Sequence, residues 1–218
     1  MRRLKVDLED PDPAVIREGA RILKQGGIVA YPTDTLYGLA CDPSLPDALE
    51  ALYRLKKRAP SLRLPFIAAD IPQARTVVSL ESEIARRLAG RFWPGPLTLV
   101  LPLLDGHPLA RWDWGTSLAI RIPASAPARD LARGAGIPIP ATSANLSGEA
   151  AATHPEGLDP VLLSRLDLLL DGGSLPGGPP STVLDLTVHP PRLLRAGAIA
   201  SESLGSVPGV GPLEVSGR

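Results

Sequence analysis

Apolar residues recur along this chain in two rhythms. Some stretches carry them at every third or fourth position, and others as short unbroken runs, the marks of amphipathic helices and of strands buried on both faces. Asp12-Pro13 reads as an N-cap followed by Pro at the first helical position. Val15, Ile16, Ala20, Ile22 and Leu23 then mark one helical face that closes at Gly26-Gly27. Ile28 to Tyr31 is an apolar run stopped by Pro32, which predicts a buried strand. A helix over about Asp47 to Leu55 repeats Leu49, Leu52 and Leu55 on one side and runs into Lys56-Lys57-Arg58. Phe66 to Ala69 predicts a strand, Ile84 and Leu88 a helix ending near Gly90, and Leu97 to Leu101 a further strand. Ser117 to Ile122 and Ile137 to Ala141 are predicted strands flanking an Ala-rich helix opened by Ser125 and Pro127. Thr153-His154-Pro155-Glu156 has capping-box spacing for a late helix, and strands follow at Leu166 to Leu170, Ser181 to Leu186 and Arg192 to Arg195. From Ala200 onward Gly, Ser, Pro and Val lack any period, so a docked or frayed tail is expected. The alternation of strands and helices predicts an α/β fold.

Composition narrows this picture. At 218 residues, one α/β domain or one domain with a tail is expected rather than two full domains. With 44% hydrophobic residues but only 4% aromatic, the core must be aliphatic. Lys+Arg and Asp+Glu both number 23, so a polyanionic partner would have to be read by a local patch rather than by net charge. The single cysteine, Cys41, excludes an internal disulfide framework and a Cys-rich zinc site and reads as a packed core side chain. No apolar signal region follows Arg2 and Arg3, and no apolar run is long enough to span a bilayer, so a cytoplasmic protein without membrane partners is expected.

Four segments place small or polar residues at the ends of apolar strands, where α/β folds gather ligands. In Pro32-Thr33-Asp34-Thr35-x-Tyr37-Gly38, Thr33 and Thr35 serve either a capped turn or a pocket. The Lys56-Lys57-Arg58 triplet complements a helix dipole, yet residues 51 to 69 hold five basic side chains and no acidic one, which suits a triphosphate or an RNA backbone. Arg121, inside an apolar strand, needs either a carboxylate partner or an anionic ligand at a cavity mouth. Ala141-Thr142-Ser143-Ala144-Asn145-Leu146-Ser147-Gly148 combines close backbone approach with hydroxyl and amide groups. There is no Walker A loop, no His-Glu-x-x-His and no Ser-His-Asp arrangement, and His107, His154 and His189 lack ligand-spaced neighbours.

Six motifs in order, Pro32-Thr33-Asp34-Thr35-x-Tyr37-Gly38-Leu39, Lys56-x-Arg58, Phe92 to Thr98, Ala119-Ile120-Arg121-Ile122-Pro123, Ser143-Ala144-Asn145-Leu146-Ser147-Gly148 and Pro180-Ser181-Thr182-Val183, resemble the YrdC/Sua5 family of threonylcarbamoyl-AMP synthases. The resemblance runs from about Gly26 to Arg195. It implies a twisted, mixed parallel and antiparallel sheet with flanking helices around a large concave cavity. Residues 1–200 would be the catalytic domain and 201–218 a tail, with no separate C-terminal Sua5 domain. The implied reaction joins L-threonine, bicarbonate and ATP into threonylcarbamoyl-AMP and pyrophosphate, for the modified adenosine at tRNA position 37. Position by position, the resemblance implies that Thr33, Arg121, Ala141 and Ser181 bind L-threonine. It likewise implies that Lys56, Arg58, Ser117, Ser143, Asn145, Ala151 and Arg195 bind ATP, with Lys56 and Arg58 catalytic.

Mg²⁺ would arrive with ATP, no dedicated metal ligands being implied. Loss of the Lys56 ammonium is expected to cost about 3 kcal/mol of transition-state stabilisation with little change in folding stability. The family usually has Pro directly after Lys-x-Arg; here Ala59 intervenes before Pro60, and Arg63-Leu64-Pro65-Phe66 forms the approach to the next strand. Expected partners are a downstream threonylcarbamoyl transferase complex and, through the basic 54–63 segment, tRNA with double-stranded character. Two other readings compete: a carbamoyl-adenylate-forming relative of hydrogenase-maturation domains, and a non-catalytic RNA-binding module using Arg86, Arg87 and Arg91. The Trp112-Asp113-Trp114 loop is a candidate cover for the site.

Overall fold

The computed structural model describes residues 1–59, 61–112 and 115–213. The chain runs β1 (Arg2–Lys5), α1 (Pro13–Lys24), β2 (Val29–Pro32), β3 (Tyr37–Ala40), α2 (Pro46–Leu55), β4 (Phe66–Ile67), α3 (Ile71–Ala74), α4 (Glu83–Phe92) and β5 (Leu97–Pro102). It continues with β6 (Ser117–Arg121), α5 (Ala126–Ala135), β7 (Ile139–Pro140), β8 (Thr142–Ser143), α6 (Pro160–Leu163), β9 (Leu168–Asp171), β10 (Thr182–Asp185), β11 (Arg192–Arg195) and α7 (Ser201–Gly205).

The strands form two mixed sheets rather than one. The first has the order β1-β9-β2-β3-β8 and the second β11-β10-β5-β6-β4-β7. The chain passes directly from the edge of one sheet to the edge of the other at Ala141, the single residue between β7 and β8. A second crossing, from β9 to β10, carries the Gly- and Pro-rich segment 172–181 over the same seam. Two edges thus meet where the polar motifs lie.

Local signals account for the helices. Asp12 accepts a hydrogen bond from Ala14 N at 2.7 Å with Pro13 at the first helical position, and Ser125 accepts one from Ala128 N, so both predicted N-caps form. Helices α1 and α5 pack together over a core that includes Ile16, Leu23, Leu131 and Ala132 and reaches both sheets. Gly134 permits this approach, since a Cβ there would stand only 2.9 Å from the Cβ of Ala20. A larger aliphatic core, built around Leu49, Leu52, Phe66, Leu99 and Ile120, fills the other side.

Several expectations change. α4 continues through Gly90 to Phe92, because Gly90 faces open space and its cost of about 1 kcal/mol is outweighed by the buried Ala85, Leu88 and Ala89. The Thr153–Glu156 spacing does not open a helix. His154 caps a short 3₁₀ turn at Pro155–Gly157, and α6 starts later, where Asp159 accepts from Val161 N and Leu162 N ahead of Pro160. The sequence pattern does not predict β3, β8 or the short β1, which pairs with β9; β1 is mostly exposed and shows no apolar run. The described part of the tail docks over residues 204–210: Leu204, Val207 and Val210 are buried, and Arg87 and Arg91 donate to Pro208 O and Ser206 Oγ. Cys41 is fully buried, and burial pushes its thiol far above its ordinary value. Trp93 is buried, whereas Asp113 and Trp114 of the candidate cover lie outside the described residues.

Candidate active site

The seam between the sheets holds a cavity of about 450 Å³. Its wall includes Thr33, Arg58, Arg121, Ala141, Ser143, Asn145, Ala151, Ser181 and Arg195, nine of the residues singled out in the sequence. Arg58 and Arg195 also line an adjoining cavity of about 490 Å³, where Ser117 lies. One expected residue, Lys56, is in neither wall.

The Pro32–Gly38 motif is the tip of the β2–β3 hairpin, with Pro32 paired to Tyr37. Thr33 locks the turn. Its hydroxyl donates to Leu36 O at 2.6 Å and accepts from Thr35 N and Leu36 N, so its proton is committed within the loop. Asp34, to which no role had been given, meets Arg121 in a bidentate pair with N···O distances of 2.9 and 3.0 Å. Arg121 therefore satisfies both halves of its expectation: a carboxylate partner and a place in the cavity wall. Among the described residues the pair uses two of five N–H donors and leaves the others for an anionic ligand. Gly38 lies above the buried ring of Tyr31, and a Cβ there would come within 3.0 Å of Tyr31 Cζ. Only glycine keeps this wall flat.

The Lys-x-Arg motif is the C-terminal cap of α2. Lys57 N donates to Arg54 O and Arg58 N to Tyr53 O, the bond pattern of a Schellman motif, with Lys57 at the left-handed position (φ +48). That reversal turns the first and third side chains inward and leaves Lys57 exposed. Lys56 is 3% exposed, and its ammonium donates to Ser143 O, to Asn145 O at 2.8 Å and to Asn145 Oδ1 at 3.1 Å. Ser147 returns the link by donating Oγ to Lys56 O at 2.8 Å. Burial, helped by the charge of Arg58, pushes the Lys56 pKa down to about 8. Lys56 thus stands behind the wall and holds the 143–147 loop to the end of α2.

Within that loop Ser143 Oγ donates to Asn145 Oδ1 at 2.5 Å, and Asn145 Nδ2 donates to Glu149 O at 2.5 Å. On the far wall Ser181 Oγ is 2.8 Å from Thr98 Oγ1 and accepts from Arg195 Nη2 at 2.9 Å. Burial, then the charge of Arg121, lowers the pKa of Arg195. Arg58, Arg121 and Arg195 share the first cavity with one lining carboxylate, Glu149, and with Asp34 paired to Arg121, so the wall keeps an excess of positive charge that favours an anion. Among the described residues no three His, Cys, Asp or Glu side chains are grouped for metal binding.

A family model for the Sua5/YciO/YrdC domain, described as telomere recombination, matches residues 21–197. The chain belongs to this family. It is 38% identical over 210 residues to the threonylcarbamoyl-AMP synthase of Bacillus subtilis strain 168, covering 96% of this chain and 60% of that protein. It is 40% identical over 154 residues to the synthase of Stenotrophomonas maltophilia strain K279a, covering 69% of this chain and 82% of that protein. The crystal structure of Pyrococcus abyssi Sua5 complexed with L-threonine superposes with a TM-score of 0.87 at 33% identity, covering 98% of this chain and 63% of that one. The chain thus spans about three fifths of the Bacillus and Pyrococcus family members. The likeness to Sua5 agrees with the mixed α/β architecture and with the concave seam that the motifs imply.

Sequence reasoning gives no role to Asp34, Thr98 or Glu149, and counts Arg63 only among the basic side chains of residues 51 to 69. Asp34 had a visible signal, because a guanidinium in an apolar strand demands a carboxylate and Asp34 is the acid within the neighbouring motif.

Proposed function

We propose that this chain is a nucleotidyltransferase that makes threonylcarbamoyl-AMP and pyrophosphate from L-threonine, bicarbonate and ATP. The observation carrying the proposal is the convergence of Thr33, Arg121, Ala141 and Ser181 with Arg58, Ser143, Asn145 and Arg195 on one cavity, from six separate stretches of chain. The two adjoining cavities, about 450 and 490 Å³, lie in the range for small-molecule sites and offer one compartment for each half of an adenylate. The similarity to relatives bearing that name, and to a family member crystallised with L-threonine, supports the same reading.

In this reading Arg121, held in place by Asp34, takes the amino-acid carboxylate, and the wall at Thr33, Ala141 and Ser181 shapes the space around the rest of the amino acid. The amine combines with bicarbonate to give N-carboxy-threonine with loss of water. Its new carboxylate oxygen then forms a bond to the α-phosphorus of ATP as the bond to the bridging β-phosphate oxygen breaks, and the electron pair leaves with pyrophosphate. No protein nucleophile is needed. Arg58 and Arg195, at the junction of the cavities, are placed to align and neutralise the phosphates. Ser117 and the backbone at Ala151 complete the nucleotide contacts. Lys56 acts by fixing the carbonyls of Ser143 and Asn145 and the Asn145 side chain, to which the Ser143 hydroxyl is bonded in turn. Mg²⁺ enters as part of the MgATP substrate.

The product would be handed to a threonylcarbamoyl transferase complex acting at tRNA position 37. Any direct tRNA contact by the 54–63 segment would fall to Arg54 and Lys57, which are exposed, since Lys56 is buried and Arg58 and Arg63 face the cavities. ATP–pyrophosphate exchange tests the assignment. Exchange that requires both threonine and bicarbonate is expected. Dependence on carbamoyl phosphate would instead identify the hydrogenase-maturation type of chemistry, and no exchange under any of these conditions would leave a binding module.

A further inference from the structure

Arg63 lies in the loop where this chain departs from the usual Lys-x-Arg-Pro pattern, and it lines the second cavity. Its Nη1 donates to Ser117 Oγ at 3.0 Å, and among the described residues no carboxylate is within ion-pair distance of it. The carboxylate in the wall of that cavity, Asp185, is already engaged: it accepts from Thr187 N and Oγ1 at 2.9 and 2.6 Å and has Arg192 Nη2 at 3.6 Å. A guanidinium is therefore held beside the mouth by one neutral hydroxyl, a hydrogen bond of the weaker kind.

The loop that carries it is set by the reactive motif itself. Arg58 donates Nε to Leu62 O at 3.0 Å and Nη2 to Arg63 O at 2.9 Å, so the backbone of Arg63 hangs from a residue shared by both cavities. Opposite stands Gly115, in the left-handed region at φ +72, where a Cβ would come 2.9 Å from Arg63 Nη2. The absent side chain leaves the guanidinium its present place.

We propose that Arg63 is a further nucleotide-binding residue, which exchanges the Ser117 hydroxyl for an oxygen of the ATP phosphate chain. The inference rests on the reading of the paired cavities as a threonine and ATP site. It assigns to the longer 59–64 loop a cation for the triphosphate that the six motifs do not include. A charge-assisted bond replaces a neutral one, so the exchange favours the bound state.

Calorimetric titration of the full chain with MgATP, and separately with L-threonine, tests this in wild type, Arg63→Gln and Arg63→Lys. The expected result is a rise of about tenfold or more in the Kd for ATP in Arg63→Gln. Partial recovery is expected in Arg63→Lys, with the threonine Kd and the melting temperature unchanged because the side chain is exposed. Wild-type ATP affinity in Arg63→Gln, with wild type itself binding both ligands, overturns the role of Arg63 alone. Absence of ATP binding in wild type overturns it together with the synthase reading. A fall in threonine affinity or melting temperature matching the loss for ATP also overturns it, since it shows a structural role.

Discussion

Replacing Lys56 by Met keeps the aliphatic stem and removes the ammonium that joins α2 to the 143–147 loop. Two carbonyls, Ser143 O and Asn145 O, and the amide oxygen Asn145 Oδ1 then lose a donor. A buried acceptor left without a partner costs about 1–3 kcal/mol, but Ser143 and Asn145 are half-buried, and water replaces part of the loss. A second effect opposes the first. Holding the ammonium in this place moves its pKa from 10.5 to about 8, which corresponds to ~3 kcal/mol against the charged form. The two effects largely offset, so the variant should lose only about 1–2 kcal/mol of stability, a fall of roughly 3–6 °C in Tm.

The effect on activity is larger, because Ser143 and Asn145 lose the geometry that presents them to ATP. A loss of about 10²-fold or more in kcat/KM for ATP is expected, as for a lost preorganised donor. This replaces the expectation that Lys56 acts on the phosphates directly without affecting the fold. ATP–pyrophosphate exchange with an ATP titration, beside a thermal melt, measures both quantities. Wild-type kcat/KM for ATP in Lys56→Met would refute the reasoning.

The pH dependence follows with its sign. The ammonium is charged below about 8 and neutral above, so kcat/KM for ATP should fall as pH rises through that value. Bound ATP adds negative charge and raises the pKa, so kcat should fall at a higher pH than kcat/KM, and Lys56→Met should show neither limb.

Three further outcomes are expected. Lys57→Gly, at φ +48, should gain about 1 kcal/mol in urea unfolding and leave exchange activity unaltered, because glycine adopts the left-handed cap position without steric cost. Arg121→Met should lose about 3 kcal/mol by stranding Asp34, whose side chain is 16% exposed. The double variant with Asp34→Asn should recover most of that stability but not threonine binding, which calorimetry separates. Burial opposes ionisation of Asp171, yet Lys5, the Gly173 amide and Arg3 outweigh it and hold the carboxyl at about 2, below the ordinary 3.8. Its stabilising contribution is thus present above pH 4 and lost as pH falls through 2, so Asp171→Asn should flatten the pH dependence of urea unfolding over that window.

Much of the local architecture was legible in the order of residues. Asp12-Pro13 and Ser125 announce helix starts through bonds made within three residues, and buried runs such as Leu97 to Leu101 announce strands, because these signals depend on near neighbours. The family resemblance likewise pointed to nine residues that share one cavity wall, six of them within the motifs. What eluded the pattern was whatever depends on a distant partner. β1 is a strand only because β9 lies beside it, and β3 because β2 and β8 do. Two sheets rather than one, joined at Ala141, follow from pairing between remote segments that no periodicity encodes.

The same division runs through the site. The sequence by itself determined which side chains carry charge and hydroxyls and that Lys56-Lys57-Arg58 ends a helix. Only tertiary structure decided which of those groups face ligand. A Schellman turn sends Lys56 behind the wall, a hairpin consumes the hydroxyl proton of Thr33, and Asp34 reaches Arg121 across 87 positions of chain. Direction and desolvation are properties of the folded surroundings, and those exist only once distant segments have packed.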